Sequence, residues 1–162
     1  MATPQHKANQ YLATKVMTAS REELRLMLLD GAVRFCTQGR DGLAAKNFEQ
    51  SFNGFTRTRA IIVELITSMK PDTTPGADNT LLDQLRALYT YMISRLVTAS
   101  HSKDIAAADE VIGLLNYERE TWSLLMNAVA GEQGRVLADA TAANLDATER
   151  ATEGVGGFSV RA

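Results

Sequence analysis

The chain has 162 residues, of which 45% are apolar, and its net charge at pH 7 is −2. This composition suits one folded domain with a real core, excludes a disordered protein, and provides no electrostatic footprint for nucleic acid. Its one cysteine, Cys36, cannot form an intrachain disulfide, and no apolar run approaches the ~20 residues that span a bilayer, so we expect no membrane insertion.

Residues 1–17 are predicted to form an N-terminal arm. The arm is polar up to Asn9 and shows no signal-peptide pattern, so we expect a cytosolic protein. Its second half carries four apolar side chains: Tyr11, Leu12, Val16 and Met17.

The first helix is predicted to start near Ser20. Ser20 and Glu23 have the spacing of a capping box, in which each side chain bonds the backbone amide of the other residue. The apolar face that follows consists of Leu24, Met27, Leu28, Ala32 and Phe35. Two glycines, Gly39 and Gly42, predict the end of this helix, because glycine favours the left-handed cap.

The second helix is predicted over residues 43–69, with an apolar stripe of Phe48, Phe52, Phe55, Ile62, Leu65, Ile66 and Met69. Gly54 lies inside it and costs roughly 1 kcal/mol relative to alanine. It either allows a close helix approach or is incidental. Pro71 ends this helix, and Thr74 with Pro75 is the predicted start of the next.

The third helix, residues 76–100, has the clearest pattern: Leu81, Leu85, Leu88, Met92 and Leu96. The fourth helix, residues 104–130, has a stripe of Ile105, Ala108, Ile112, Leu115, Trp122, Met126 and Val129. The link between them is so short that the two helices must be antiparallel neighbours.

These elements predict an all-α fold, an antiparallel up-down four-helix bundle over residues 18–130. After Gly131 the chain becomes rich in alanine with few large apolar residues. We expect residues 131–162 to form a weak fifth helix that ends in a flexible tail over residues 151–162.

The sequence shows no pattern of catalysis. The two histidines, His6 and His101, belong to no Glu-x-x-His motif, and no phosphate loop or nucleophile elbow is present. Cys36 is expected to be a buried, inert thiol. We therefore predict no catalytic residues, no metal site and no cofactor, and expect function to reside in what the bundle surface binds.

Three apolar residues lie beside the main stripes: Ile61, Tyr91 and Leu114. They make the apolar arcs wider than one packing seam requires. The surplus can serve a wide core face, a contact between two copies of the chain, or a groove for an amphipathic helix.

Four segments, in this order and spacing, carry a family pattern: TASREEL at residues 18–24 after Tyr11, MLLDGAVRF at 27–35, LRALYTYM at 85–92 and RETW at 119–122. Together they cover residues 10–130 and resemble the flagellar secretion chaperones of the FliS type. The leucine-tyrosine run and the arginine–tryptophan pair, on consecutive helices, are the most specific part of the match.

The resemblance implies a non-enzymatic export chaperone in the cytosol. Such a protein binds the C-terminal helical segment of flagellin, prevents premature polymerisation, and supports delivery to the flagellar type III export apparatus. The resemblance also implies that the N-terminal tyrosine, here Tyr11, belongs to an arm that covers the apolar pocket until flagellin displaces it.

Leu12, Val16 and Met17 would help to hold that arm, and Ile61, Tyr91 and Leu114 are our candidates for the groove. Two alternatives stay open at this point. The arm residues can instead form a hydrophobic staple ahead of the first helix. The protein can also be a homodimeric structural bundle without a flagellin client.

Overall fold

The protein is all-α. The computed structural model describes residues 3–153, and their side chains up to residue 150. This part of the chain contains no strand and five helices: α1 Pro4–Thr18, α2 Arg21–Ala44, α3 Phe48–Ser68, α4 Thr80–Ser102 and α5 Ile105–Glu153. The backbone forms two compact units that divide at Trp122, so α5 begins in the first unit and ends in the second.

Within the first unit, α2, α3, α4 and the start of α5 form an antiparallel four-helix bundle, as predicted. Antiparallel packing of α2 and α5 follows from two contacts: Arg40, near the end of α2, pairs with Asp109 near the start of α5, whereas Trp122, further along α5, donates to the carbonyl of Glu22 at the start of α2. The core is built from residues that are almost fully buried on all four helices: Leu29, Ala32, Cys36, Phe55, Ile62, Leu65, Tyr89, Met92, Leu96, Ala107, Ala108, Val111 and Leu115.

The start of α2 is confirmed. Glu23 N donates to Ser20 Oγ at 3.2 Å, and Ser20 N donates to Glu23 Oε2 at 2.8 Å, which completes the capping box. The predicted arm is itself a helix, α1, which begins with Pro4 in its first turn and has no buried side chain.

The predicted end of the first helix is wrong, because α2 continues through both glycines to Ala44. The glycines allow a close approach of α3. A Cβ on Gly54 would lie 2.5 Å from Gly39 N and 2.7 Å from Phe35 O, and one on Gly42 would lie 2.6 Å from Ser51 N. Gly54 therefore serves helix packing and is not incidental.

The predicted start of α4 at Thr74 and Pro75 is also wrong, since the helix begins at Thr80. The intervening loop is organised by the Asn79 side chain. Its amide donates to Asp72 O at 3.0 Å and its oxygen accepts from Asp72 N at 2.9 Å. Side-chain bonds of this kind hold the backbone out of the helical conformation.

The expected break near Gly131 does not occur, because α5 is one helix from Ile105 to Glu153. A single glycine costs only about 1 kcal/mol and the flanking residues are good helix formers, so Gly131 and Gly134 do not end it. Residues 154–162 of the predicted tail lie outside the described residues. No described helix has the length and hydropathy of a membrane span.

Candidate binding surface

The lone thiol is sequestered in the core. Cys36 is fully buried, and its Sγ donates to the carbonyl of Ala108 at 3.9 Å. Burial, with the nearby charge of Asp109, raises the pKa of the thiol to about 12. A neutral, inaccessible thiol is not a nucleophile at physiological pH. Among residues 3–153, no cluster of three or more histidine, cysteine or acidic side chains is arranged to hold a metal.

An open groove lies between α3 and α4 and encloses about 380 Å³. Phe52 and Val97 form its rim and are 63% and 52% exposed, while Phe55 and Leu96 form its floor and belong to the core. We name this feature the α3–α4 groove. Its two exposed apolar side chains line the same groove from neighbouring antiparallel helices, and grooves of this kind can receive an amphipathic helix.

The polar lining of the α3–α4 groove is basic. Arg59, His101 and Lys103 contribute to it, and no acidic side chain does. Lys103 donates to the carbonyl of Ser100 at 2.8 Å and lies 4.8 Å from the centre of the Phe48 ring. The groove therefore combines apolar surface with the positive charges of Arg59 and Lys103.

Phe48 and Phe52 are corrections to the predicted stripe of the second helix. We assigned both to the core, yet they are 49% and 63% exposed. Leu81 and Val129, also counted in core stripes, are exposed as well. One available signal was that Phe52 lies two turns before Arg59 on the same face of α3, which marks that face as solvent-accessible.

A second cluster of side chains joins α2, α4 and α5 around Arg25. Its guanidinium donates to Tyr89 Oη at 2.9 Å and lies 5.0 Å from the centre of the Trp122 ring and 5.8 Å from that of Tyr89. Tyr89 Oη in turn lies 3.4 Å from Glu118 Oε2. Burial raises the pKa of Tyr89 to about 12 and also raises the pKa of Glu118.

This cluster is structural, since Tyr89 is fully buried and its partners, Arg25 and Glu118, lie on two other helices. It explains why the leucine-tyrosine run and the arginine–tryptophan pair occur together: Tyr89 and Trp122 flank the same guanidinium. Arg119, the other half of that pair, forms an ion pair with Asp30 at 3.4 Å. Sequence reasoning missed Arg25, although an arginine beside Leu24 and Leu28 on an apolar face was a signal.

Another cleft, of about 430 Å³, lies where α2 begins and α3 ends. Leu24, Leu28 and Trp122 form its apolar part, and its rim carries charges of both signs, including Arg21 and Glu64. Its mixed rim gives no preference for the charge of an occupant, which distinguishes it from the α3–α4 groove.

The arm candidates lie together on α1 and are open to solvent. Tyr11 is 69% exposed and Met17 87% exposed, and Leu12 and Val16 are also exposed. None of the four is buried as a staple against α2 would require. They present an unoccupied apolar surface on a helix whose charged residues, Lys7 and Lys15, are both basic.

The three groove candidates do not share one groove. Ile61 is half-buried and approaches Gly31 of α2. Tyr91 and Leu114 belong to the other side of the bundle, where Tyr91 and Arg95 both donate to Glu110 on α5. These hydrogen bonds lower the pKa of the Glu110 carboxyl. Leu114, one turn after Glu110, packs against the core.

The second unit consists of the later part of α5. From Asn127 to Arg150 every side chain is exposed, including the large apolar Val129, Val136, Leu137 and Leu145. Ion pairs between Arg135 and Glu132 and between Arg150 and Asp146 support the helix locally.

Fold and surface define a class: a helical bundle that presents open apolar surface and whose lone thiol is buried. The comparisons identify the family. The family model described as flagellar protein FliS matches residues 4–129, so this chain belongs to the FliS family. As a group this is a family of flagellar secretion chaperones and not of enzymes, which confirms the resemblance that we found in the motifs.

Individual relatives agree with this assignment. The flagellar secretion chaperone FliS of Escherichia coli K12 is 31% identical over 108 residues, which cover 66% of this chain and 76% of the relative. The protein of the same name from Campylobacter jejuni is 29% identical over 119 residues, 74% of this chain and 90% of the relative. That of Bacillus subtilis is 28% identical over 118 residues, 73% and 84% respectively.

Proposed function

We propose that this protein is a cytosolic export chaperone that binds the C-terminal helical segment of flagellin. In this role it prevents premature polymerisation and supports delivery of flagellin to the flagellar type III export apparatus. Membership in the FliS family supports a flagellar client. The single structural observation that carries the proposal is the α3–α4 groove, where large apolar side chains stay exposed beside a packed core.

The face of α3 that lines the groove continues beyond it to the exposed Val63, and this face is long enough for a helix. On α3, Phe52, Thr56, Arg59 and Val63 recur at spacings of four, three and four, so they share one face and extend over about 16 Å at 1.5 Å per residue. A bound helix could contact this face over three of its own turns through anchors at i, i+3 or i+4, and i+7. Burying Phe52 and Val97 would contribute about 1.5–3 kcal/mol each.

To prevent polymerisation, the chaperone covers the apolar helix faces that flagellin otherwise buries in the filament. The exposed arm residues Tyr11, Leu12, Val16 and Met17 would compete for the groove in the absence of client, or add to the contact once it is bound. Ile61, Tyr91 and Leu114 are proposed to extend the contact to neighbouring faces of the bundle.

The test is complex formation with flagellin. The full chain is mixed with flagellin from the same organism, or with its C-terminal peptide, and analysed by size-exclusion chromatography with light scattering. We expect a one-to-one complex. Phe52→Ala and Val97→Ala should weaken binding about tenfold or more, which is 1.4 kcal/mol. Leu81→Ala, 78% exposed on α4 but not in the groove, is the matched control.

Failure of the wild-type chain to bind flagellin or its C-terminal peptide would contradict the proposal. A stable dimer at micromolar concentration without any such complex would favour the alternative of a homodimeric structural bundle. In that case the exposed apolar side chains would be covered by a second copy.

A further inference from the structure

Arg59 occupies an unusual position in the α3–α4 groove. It lines the groove, yet it makes no hydrogen bond or ion pair with any residue that the structure describes. The other arginines of α3 and α4 are engaged: Arg57 lies over the Phe35 ring, Arg86 donates to the carbonyl of Met69, and Arg95 pairs with Glu110. The guanidinium of Arg59 is therefore available to an occupant of the groove.

The register of α3 places this charge within the apolar contact face. Arg59 lies seven residues after Phe52 and four before Val63, so the three side chains lie along one line on the helix surface. A helix that packs on Phe52 and Val63 therefore must cover Arg59. Removing an unpaired guanidinium from water is costly unless a carboxylate or another strong acceptor replaces the lost water.

The surrounding charges favour the same kind of occupant. His101 and Lys103 lie at the end of the groove near Phe52, and no acidic side chain lines it. The positive charge of Lys103 attracts an acidic segment to the groove and repels a basic one.

We propose that Arg59 is a specificity-determining residue: the α3–α4 groove selects an amphipathic client helix with a carboxylate between its apolar anchors. That carboxylate pairs with the Arg59 guanidinium, and Lys103 reinforces the preference for negative charge. This inference rests on the proposed function, because the client helix is taken to be the C-terminal segment of flagellin.

The experiment measures the affinity of the synthetic C-terminal flagellin peptide for the full chain by isothermal titration at two salt concentrations. Arg59→Gln keeps a polar, though shorter, side chain and removes its charge. We expect about tenfold weaker binding and a smaller salt dependence. Arg57→Gln, two residues away and stacked on Phe35, is the matched control and should change affinity less than about twofold.

Peptides with single Asp→Asn or Glu→Gln changes then identify the pairing carboxylate. One such change should weaken wild-type binding about tenfold and have little further effect on Arg59→Gln, because the two changes remove the same interaction. Additive effects at every peptide position would overturn the inference.

The outcomes separate the two proposals. Unchanged affinity in Arg59→Gln, with clear weakening in Phe52→Ala, would overturn the inference and leave the chaperone function standing. Absence of any complex between the wild-type chain and flagellin would overturn the function itself.

Discussion

The close packing of α2 on α3 predicts that glycine-to-alanine substitution lowers the free energy of unfolding at Gly54 and raises it at Gly113. Gly54→Ala introduces a Cβ that would lie 2.5 Å from Gly39 N and 2.6 Å from Gly39 Cα. Ordinary carbon contacts are about 3.5–4 Å, so the helices must separate by about 1 Å. Because the obstructing atoms belong to the backbone, no side-chain rotation can relieve the clash.

The expected magnitude follows from two opposing terms. Overpacking costs about 1–3 kcal/mol, and the rigid neighbours favour the upper end of this range. Replacing a mid-helix glycine by alanine returns about 1 kcal/mol. We therefore expect Gly54→Ala to lower the free energy of unfolding by about 2 kcal/mol. With a urea m-value of about 2 kcal/mol/M, the midpoint should fall by about 1 M.

Gly113 supplies the control, because it lies inside α5 and a Cβ there would meet no atom within 4 Å. Gly113→Ala should raise the free energy of unfolding by about 0.5–1 kcal/mol. Both variants are measured by urea unfolding followed by circular dichroism, with unchanged m-values as the condition for comparison. If Gly54→Ala unfolds at the same urea concentration as the wild type, or a higher one, the close helix approach is refuted.

Three further predictions concern the thiol, the arm and the end of α5. Since burial raises the pKa of Cys36 to about 12, a thiol reagent at pH 8 should leave the folded protein unmodified and label it rapidly in urea; fast labelling of the folded chain would contradict the burial. Tyr11→Ala should change flagellin affinity about fivefold or more, roughly 1 kcal/mol, and shift the melting temperature by less than about 2 °C, because Tyr11 is 69% exposed. A large fall in melting temperature with unchanged binding would instead support the staple. Truncation after Ala130 should change the free energy of unfolding by less than about 1 kcal/mol, since the removed side chains up to Arg150 are exposed. Urea unfolding measures this effect, and a loss of several kcal/mol would show that the bundle depends on the extension.

Local signals in the sequence were sufficient wherever the interaction itself is local. The capping box of Ser20 and Glu23 involves residues three apart, so its spacing alone predicts where α2 begins. The same holds for the helical character of the four amphipathic segments, because each apolar stripe reports the period of its own helix.

Glycine shows where this reasoning stops. Gly39 and Gly42 have the spacing of a helix end, and nothing in their neighbourhood distinguishes an end from a packing site. The packing site is defined by Gly54 and Ser51 of the next helix, which lie in close contact with Gly39 and Gly42. A close approach depends on two helices, so one segment read alone cannot show it.

The candidate site was found only in part. The sequence indicated surplus apolar surface and, through the family resemblance, the importance of Tyr11. It did not indicate the α3–α4 groove, because Phe52 fits the same stripe as the buried Phe55. It also missed Arg25, whose partner Tyr89 lies 64 residues further along the chain.

The sequence by itself determined that four helices have apolar faces, that these faces must be buried, and that the motifs belong to a chaperone family. Only the tertiary structure decided which part of each face is covered. Ile61 packs near Gly31 of α2. Phe52 and Val97, by contrast, stay exposed at the rim of the α3–α4 groove, which Arg59 also lines. Periodicity specifies a direction around one helix, but exposure depends on how close and at what angle the neighbouring helix packs.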